Sequence, residues 1–532
     1  MKLYGILLFC LGLLVCGCQS SKPPAQKIAS ARITILNEPS TLDPHQARDI
    51  HSLTIVRLLF DGLTRVGKTE KAELALAKSV SYSQDMKTYT FFLRDAKWSN
   101  DDSVTAQDFA YAWKKLLDPQ YPSDIASYLY ILKNAKAIKE GKLKPEALGV
   151  RVVDDKTLEV ELEHSAPYFL ELVAFPAFFP VNARFEAVNP NWAQSAASYV
   201  CNGPFRLREW KHSDRIVVEK NSTYWDAHAV ELKELEIVVV NDEDTALKMF
   251  EKKELDWTGS PLSTLPVESI NALRKQNILK TKEMLATYFI RVNTEHSLLK
   301  DARIRRALAM AIDRKEIVEH VTQGNQIPAT GLVPLSFGLQ EEPYFTDGAI
   351  PEARSLFLES MNALQVDKKA FEELTLFYSA TQRNHLIAQA VQQQWNKVFG
   401  IRVKLESCEN KVYFDRIKKQ NYELAIGSWV ADFNDPINFL DVFRYKTEGL
   451  NNTHWENSQY AELLRRSEIE ANPIERLNLL KESEKLLIAE MPILPIFYFT
   501  MLYGQQSRLE DVILSSMGVL DFKWAKVAES TK

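Results

Sequence analysis

The sequence predicts an α/β fold split into two or three domains, and three observations carry that expectation. With a leader of seventeen residues removed, the chain still runs from Cys18 to Lys532, too long for one hydrophobic core. Strand-like and helix-like patterns interleave through the first half. From Leu374 the order is strand, helix, strand, helix, strand, as in a parallel unit with right-handed crossovers.

The leader is the first element. Lys2, an uncharged apolar run from Leu3 and small residues before Cys18 have the layout of a secretion signal. The run is about fifteen residues, shorter than the roughly 20 that span a bilayer. Val15 and Gly17 stand three and one before Cys18, and the segment resembles the lipobox of bacterial lipoproteins, so Cys18 is the expected lipidation site. Everything from Gln19 onward is then expected in the periplasm or at the cell surface, anchored to a bacterial membrane and without ATP. Gln19 to Ser30, with Pro23-Pro24, reads as a tether.

Order is predicted to begin at Ile33, where Ile33 and Ile35 alternate with polar neighbours. Thr88 to Leu93 reads as a strand and Trp98 to Asp102 as a turn. Thr105 and Asp108 have capping-box spacing ahead of a helix carrying Phe109, Trp113, Leu116 and Leu117 on one face, stopped by Asp118-Pro119. Leu158 to Leu162, Ile216 to Val218 and Leu235 to Val240 add strands. Asp301 caps a helix with Ile304, Leu308 and Ile312 at helical spacing. In the parallel unit the strands are Leu374 to Tyr378, Ile401 to Leu405 and Tyr422 to Ile426. The helix between the first two carries Ile387 and Val391 and closes at Gly400, and a short one surrounds Tyr413. Ligands of open α/β sheets bind beyond the carboxyl ends of strands. That points to Ser379 to Arg383 and, above all, Gly427 to Asp432.

Charge and cysteine usage exclude several classes. The net charge is -5, or -6 once Lys2 leaves, and no basic stripe suggests a nucleic-acid partner. Outside the leader and Cys18 only Cys201 and Cys408 remain, enough for one disulfide and too few for a framework or a zinc site. Gly62 to Thr69 spells a phosphate loop, and Val238 to Asp242 offers an acidic partner strand. The loop interior has no further glycine and the compartment supplies no nucleotide, so a hairpin turn at Gly67 with an exposed Lys68 is the expectation. No two glycines lie four apart as a hydrolase elbow requires. Ser297 and Lys300 have penicillin-interacting spacing without that motif's partners. The nine histidines include no pair at helical metal spacing, so no metal or cofactor is expected.

Trp429 to Pro436 carries the functional signal. Asp435-Pro436 is a helix start. Asp432 is not needed for that start. A carboxylate beside Trp429 and Phe433 at a strand end suits a cationic group, because it supplies the ion pair while the rings exclude water. A cap on a turn of its own is the plainer alternative for Asp432.

The same segment resembles the Trp-x-Ala-Asp-aromatic-Asn-acidic-Pro stretch of the oligopeptide-binding proteins of peptide ABC importers, the family 5 extracellular solute-binding proteins. Further landmarks follow in family order: Thr41 to Pro44, Phe91 to Arg94, Trp98 to Asn100, Val104 to Phe109, Asn202 to Phe205, Tyr224-Trp225, and Arg303 to Leu308 with Asp313-Arg314. The resemblance implies a two-lobed periplasmic binding protein (type II, cluster C) with mixed sheets and an extra domain, its lobes closing by a hinge over an extended peptide. It places domain I in residues 31–60, 184–283 and 500–532, domain II in 61–183 and domain III in 284–499, after a leader at 1–17 and a tether at 18–30. Carried over by position, Asp432 binds the ligand's α-ammonium and Trp429 lines the same pocket. Ser428 is grouped with them, and Tyr498 is a candidate for the cleft wall. The implied partners are an oligopeptide, an ABC permease and the membrane, with a monomeric chain that catalyses nothing.

Two departures stand out. The arginine that many members place three residues before the tryptophan is Ile426 here, and the glycine usual after Trp-Ser-Asn is Asp101. Arg383 is the candidate to supply the missing charge. The rival readings keep the fold and bind murein peptide, a dipeptide or a non-peptide such as a metal complex or haem. Rivals of another class are a lipoprotein hydrolase and a purely structural lipoprotein.

Overall fold

A computed structural model describes residues 29–123, 125–446 and 450–528. The leader, Cys18 and most of the tether lie outside the described residues. Strand β1 (Ser30–Ile35) opens the fold, with Ile33 and Ile35 buried, and the hairpin β2 (Thr64–Val66) and β3 (Ala72–Leu74) follows. A four-stranded antiparallel sheet comes next, from β4 (Ala77–Tyr82), β5 (Thr88–Leu93), β6 (Val150–Asp154) and β7 (Thr157–Glu161), in the order β4-β5-β7-β6. Between β5 and β6 runs the helix Ala106–Leu116. Its capping box forms as expected: the backbone N–H of Thr105 donates to Asp108 Oδ2 at 2.9 Å.

Ten further strands join β1 in one mixed sheet. These are β8 (Phe205–Lys211), β9 (Arg215–Lys220), β10 (Glu234–Val239), β11 (Trp257–Gly259), β12 (Leu279–Val292), β13 (Ile327–Pro328), β14 (Thr375–Ser379), β15 (Lys404–Cys408), β16 (Leu424–Val430) and β17 (Ile493–Gln505). The order is β15-β14-β16-β12-β17-β11-β1-β10-β9-β8, with β13 on β17. The long antiparallel pair β12 and β17 therefore joins both halves. Its register shifts between Glu283 and Thr287 and again between Tyr288 and Phe289. Such bulges bend and twist a sheet locally.

Two apolar cores flank that bend. One gathers Ala31 to Leu262 and Met501 to Ala525, so the small antiparallel sheet packs continuously with the first lobe; the other gathers Leu285 to Phe497. The architecture is the mixed α/β, two-lobed one. In the second lobe β14 pairs parallel with both β15 and β16, and the helix Gln382–Phe399 between β14 and β15 is capped by Thr381 and closed by Gly400 at φ 72°.

Strand limits in the parallel unit differ from expectation. Ile401 and Val403 are buried but precede β15, which starts at Lys404. Strand β16 runs four residues past Ile426, because Gly427 to Val430 pair with Phe289 to Ala286 on β12.

Most landmark residues serve packing. Asp61 accepts from Tyr224 Oη at 2.7 Å and Trp225 Nε1 at 2.9 Å, while its N–H donates to Asn202 Oδ1 at 2.8 Å. At Gly203 a Cβ would lie 2.4 Å from the backbone carbon of Leu59, so only glycine fits. Asp101 takes φ 70°, the left-handed conformation of that turn. Arg305 and Arg314 are buried and donate to backbone carbonyls, among them Leu299 O at 2.8 Å and Pro495 O at 2.8 Å.

Candidate ligand-binding site

Strand pairing and one asparagine position the site. Pairing of β16 with β12 sets Trp429 against Thr287 and Ser428 against Tyr288. Beyond the strand, Asp435 Oδ1 accepts from Ile437 N at 3.0 Å ahead of the short helix Ile437–Leu440, which starts one residue later than Asp435-Pro436 predicts, with Pro436 at the cap position. That helix presents Asn438, whose Oδ1 accepts from both Trp429 Nε1 (2.8 Å) and Asp432 N (3.2 Å). One oxygen thus locks the indole and the carboxylate-bearing turn together. Arg476 holds the same segment from below through Asp435, with contacts of 2.7 and 2.8 Å.

Asp432 faces the other lobe. Its Oδ1 accepts from Tyr128 Oη at 3.0 Å, and among the described residues it forms no ion pair. Burial raises the carboxyl's pKa above its usual value, opposed by the hydrogen bonds from Tyr128 and Asn438. A cavity of about 580 Å³ opens beside it, walled by Trp429, Phe433 and Ile437 on one side and His164 and Tyr168 on the other. Tyr168 stacks on Phe433 across the lobes, centroids 4.7 Å apart and planes at 11°. At the cavity floor Arg444 is matched by two carboxylates, Asp441 at 2.6 Å and Glu468 at 2.5 Å. With Asp432 ionised the lining favours a cation.

The other sequence candidates are placed differently. Ser428 is exposed on the strand, its carbonyl 3.4 Å from Arg291 Nη2. Tyr498 does not form a cleft wall: it is fully buried, accepts from Gly331 N and donates to Gln340 Oε1, both at 3.2 Å. The expectation for it is corrected by β17 register, which sets its backbone opposite Thr287 beneath the surface. Arg383 is exposed on the helix after β14 and takes no part in the cavity wall. Tyr128, Tyr168 and Asn438 were not singled out by sequence, and no spacing marks them.

The decoy motifs resolve as turns and caps. Gly67 N donates to Lys71 O at 2.8 Å within the β2–β3 hairpin, no helix follows, and Lys68 is exposed. Asp242 caps the helix Glu243–Glu251 through Thr245 N. Cys201 and Cys408 are free thiols in different lobes. No group of metal-ligating side chains occurs among the described residues. Nor is any helix among them long and apolar enough to cross a membrane.

With this geometry in place the comparison with known proteins is decisive. Residues 71–451 match the family described as bacterial extracellular solute-binding proteins, family 5 Middle. The chain belongs to the family 5 solute-binding proteins. It is 40% identical over 530 residues to the oligopeptide-binding protein OppA of Bacillus subtilis, covering 97% of each chain. Among solved structures, the unliganded open form of the periplasmic murein tripeptide binding protein MppA superposes with a TM-score of 0.85 at 29% identity, covering 94% of this chain and 98% of that one. A second structure, Escherichia coli MppA, gives 0.73 at the same identity, covering 95% and 99%.

Proposed function

We propose that this protein is a lipid-anchored receptor outside the cytoplasm that captures oligopeptides between its lobes and hands them to an ABC permease. The observation that carries the reading is Asp432, a half-buried carboxylate with no ion pair among the described residues, set between Trp429, Phe433 and the opposite lobe's Tyr128 and Tyr168. A peptide α-ammonium supplies the missing charge and displaces the Tyr128 hydroxyl or shares the carboxylate with it. Main-chain hydrogen bonds to a ligand lying as an added strand are blind to side chains, so one receptor serves many sequences. Closure about β12 and β17 excludes water and strengthens the ion pair. Membership of the solute-binding family and the likeness to OppA support this reading, and the peptide is bound, not cleaved.

The same reading takes the domain boundaries as set out from sequence. Glu283 of β12 pairs with Thr500 of β17, beside both expected lobe crossings. Cys18 is the proposed anchor and the chain acts as a monomer.

Native mass spectrometry of protein purified gently from cells tests the proposal. A mixture of short peptides released on denaturation is the expected result. A single murein fragment, a single non-peptide compound or an empty cleft refutes it.

A further inference from the structure

We infer that Arg291 receives a carboxylate of the ligand, giving the site a second, opposite charge; the inference rests on the peptide reading above. Arg291 lies on β12 opposite Ala425 of β16, so its side chain shares a sheet face with Gly427 and Trp429. Gly427 makes room for it. A Cβ there would lie 1.5 Å from Nη1 and 2.6 Å from Cζ. The glycine backbone is not in the left-handed region, so the guanidinium, not the turn geometry, excludes a side chain at this position.

The guanidinium has more donors than it uses. Of five N–H groups, its contacts among the described residues are two long ones of 3.4 Å, to Tyr413 Oη and to the carbonyl of Ser428. The Phe289 ring lies 5.0 Å from its central carbon. A planar cation with spare donors, backed by an aromatic ring and on the sheet face that carries Trp429, is suited to bidentate recognition of a carboxylate.

Spacing relates this charge to Asp432. Both groups sit on the second lobe, Arg291 on β12 and Asp432 just beyond its partner strand β16, so hinge motion leaves their separation unchanged. Gly427 and Asp432 are five residues apart along an extended segment, which sets the two charges on the order of 10–16 Å apart. An extended peptide of three to five residues spans the same length. The carboxylate is either the C-terminus of such a short peptide or an acidic side chain of a longer one.

Calorimetric titration of the purified, ligand-stripped protein tests this, with trialanine, trialanine amide and Ala-Ala-Glu amide against wild type, Arg291→Gln and Arg291→Lys. On wild type, trialanine is expected to bind at least tenfold more tightly than its amide, and Arg291→Gln should bind the two alike with an unchanged thermal midpoint. Arg291→Lys, which keeps the charge and loses the fork, should retain part of the preference. A preference in the Ala-Ala-Glu amide that Arg291→Gln abolishes assigns the side chain as the source; a preference confined to the free C-terminus assigns the other. Preferences that Arg291→Gln leaves intact overturn the role of Arg291 alone. Wild type that binds neither these peptides nor longer ones overturns the peptide reading itself.

Discussion

The phenolic oxygen of Tyr128 donates a 3.0 Å hydrogen bond to Asp432 Oδ1, joining residues 304 positions apart and linking the two lobes at the candidate site. Around this contact the burial of the carboxylate, its hydrogen bonds and the incoming ligand charge are coupled, and the effects of substitution follow from that coupling.

Asp432→Asn removes the negative charge while keeping a side chain of the same shape. Loss of a buried charge partner should weaken peptide binding by about 2–5 kcal/mol. Calorimetry against a peptide found in the purified protein measures it, and an unchanged affinity refutes the ion pair.

Binding should also depend on pH in a defined direction. Burial raises the Asp432 carboxyl in the free protein, and an ammonium favours the ionised form. Affinity is therefore full above the free-state pKa and falls as pH drops through it. Tyr128→Phe deletes a hydrogen bond that favours the carboxylate, so the acid limb should move to higher pH, with affinity lost by roughly one power of ten or less at neutral pH.

A glycine and an arginine predict one another. Gly427→Ala places a methyl group where the Arg291 guanidinium lies. Because the end of a flexible side chain can swing away, stability should change little, while any preference for a free carboxylate should fall to the level of Arg291→Gln.

Glu484 sets a stability signature unrelated to ligand. It is fully buried and accepts from Leu332 N (2.8 Å), Val333 N (2.7 Å) and Tyr344 Oη (2.9 Å), and burial pushes its carboxyl up to about 7 from 4.5. The folded state thus holds the proton more tightly than the unfolded chain. Its contribution is complete below pH 4.5 and is lost as pH rises through about 7. Glu484→Gln, neutral at every pH, should abolish that slope in urea unfolding measured across the same range.

Arg476→Ala should destabilise the second lobe by about 3–5 kcal/mol, since it strands the buried carboxylate of Asp435. Chemical unfolding measures the loss. Peptide affinity should fall as well, because Asp435 fixes the helix that carries Asn438.

What the sequence determined by itself was local. The Thr105 capping box, the Asp301 cap, the Gly400 stop and the parallel order from Leu374 are consequences of neighbouring residues, and a single chain displays them. Asp432 was legible too, as an acidic residue at a strand end beside Trp429 with no local duty to perform. The tertiary structure decided the rest. Whether β16 stopped at Ile426 or continued to Val430 depended on β12, more than a hundred residues away, because strand length is set by available pairing partners. Tyr498 was buried by its register on β17, which period-two alternation alone does not fix. Tyr128 and Tyr168 reach Asp432 and Phe433 only through tertiary contacts between segments far apart in the chain. Arg291 acquires its place through the absence of a side chain on the adjacent strand, a relationship between Gly427 and Arg291 that exists only once pairing brings them together.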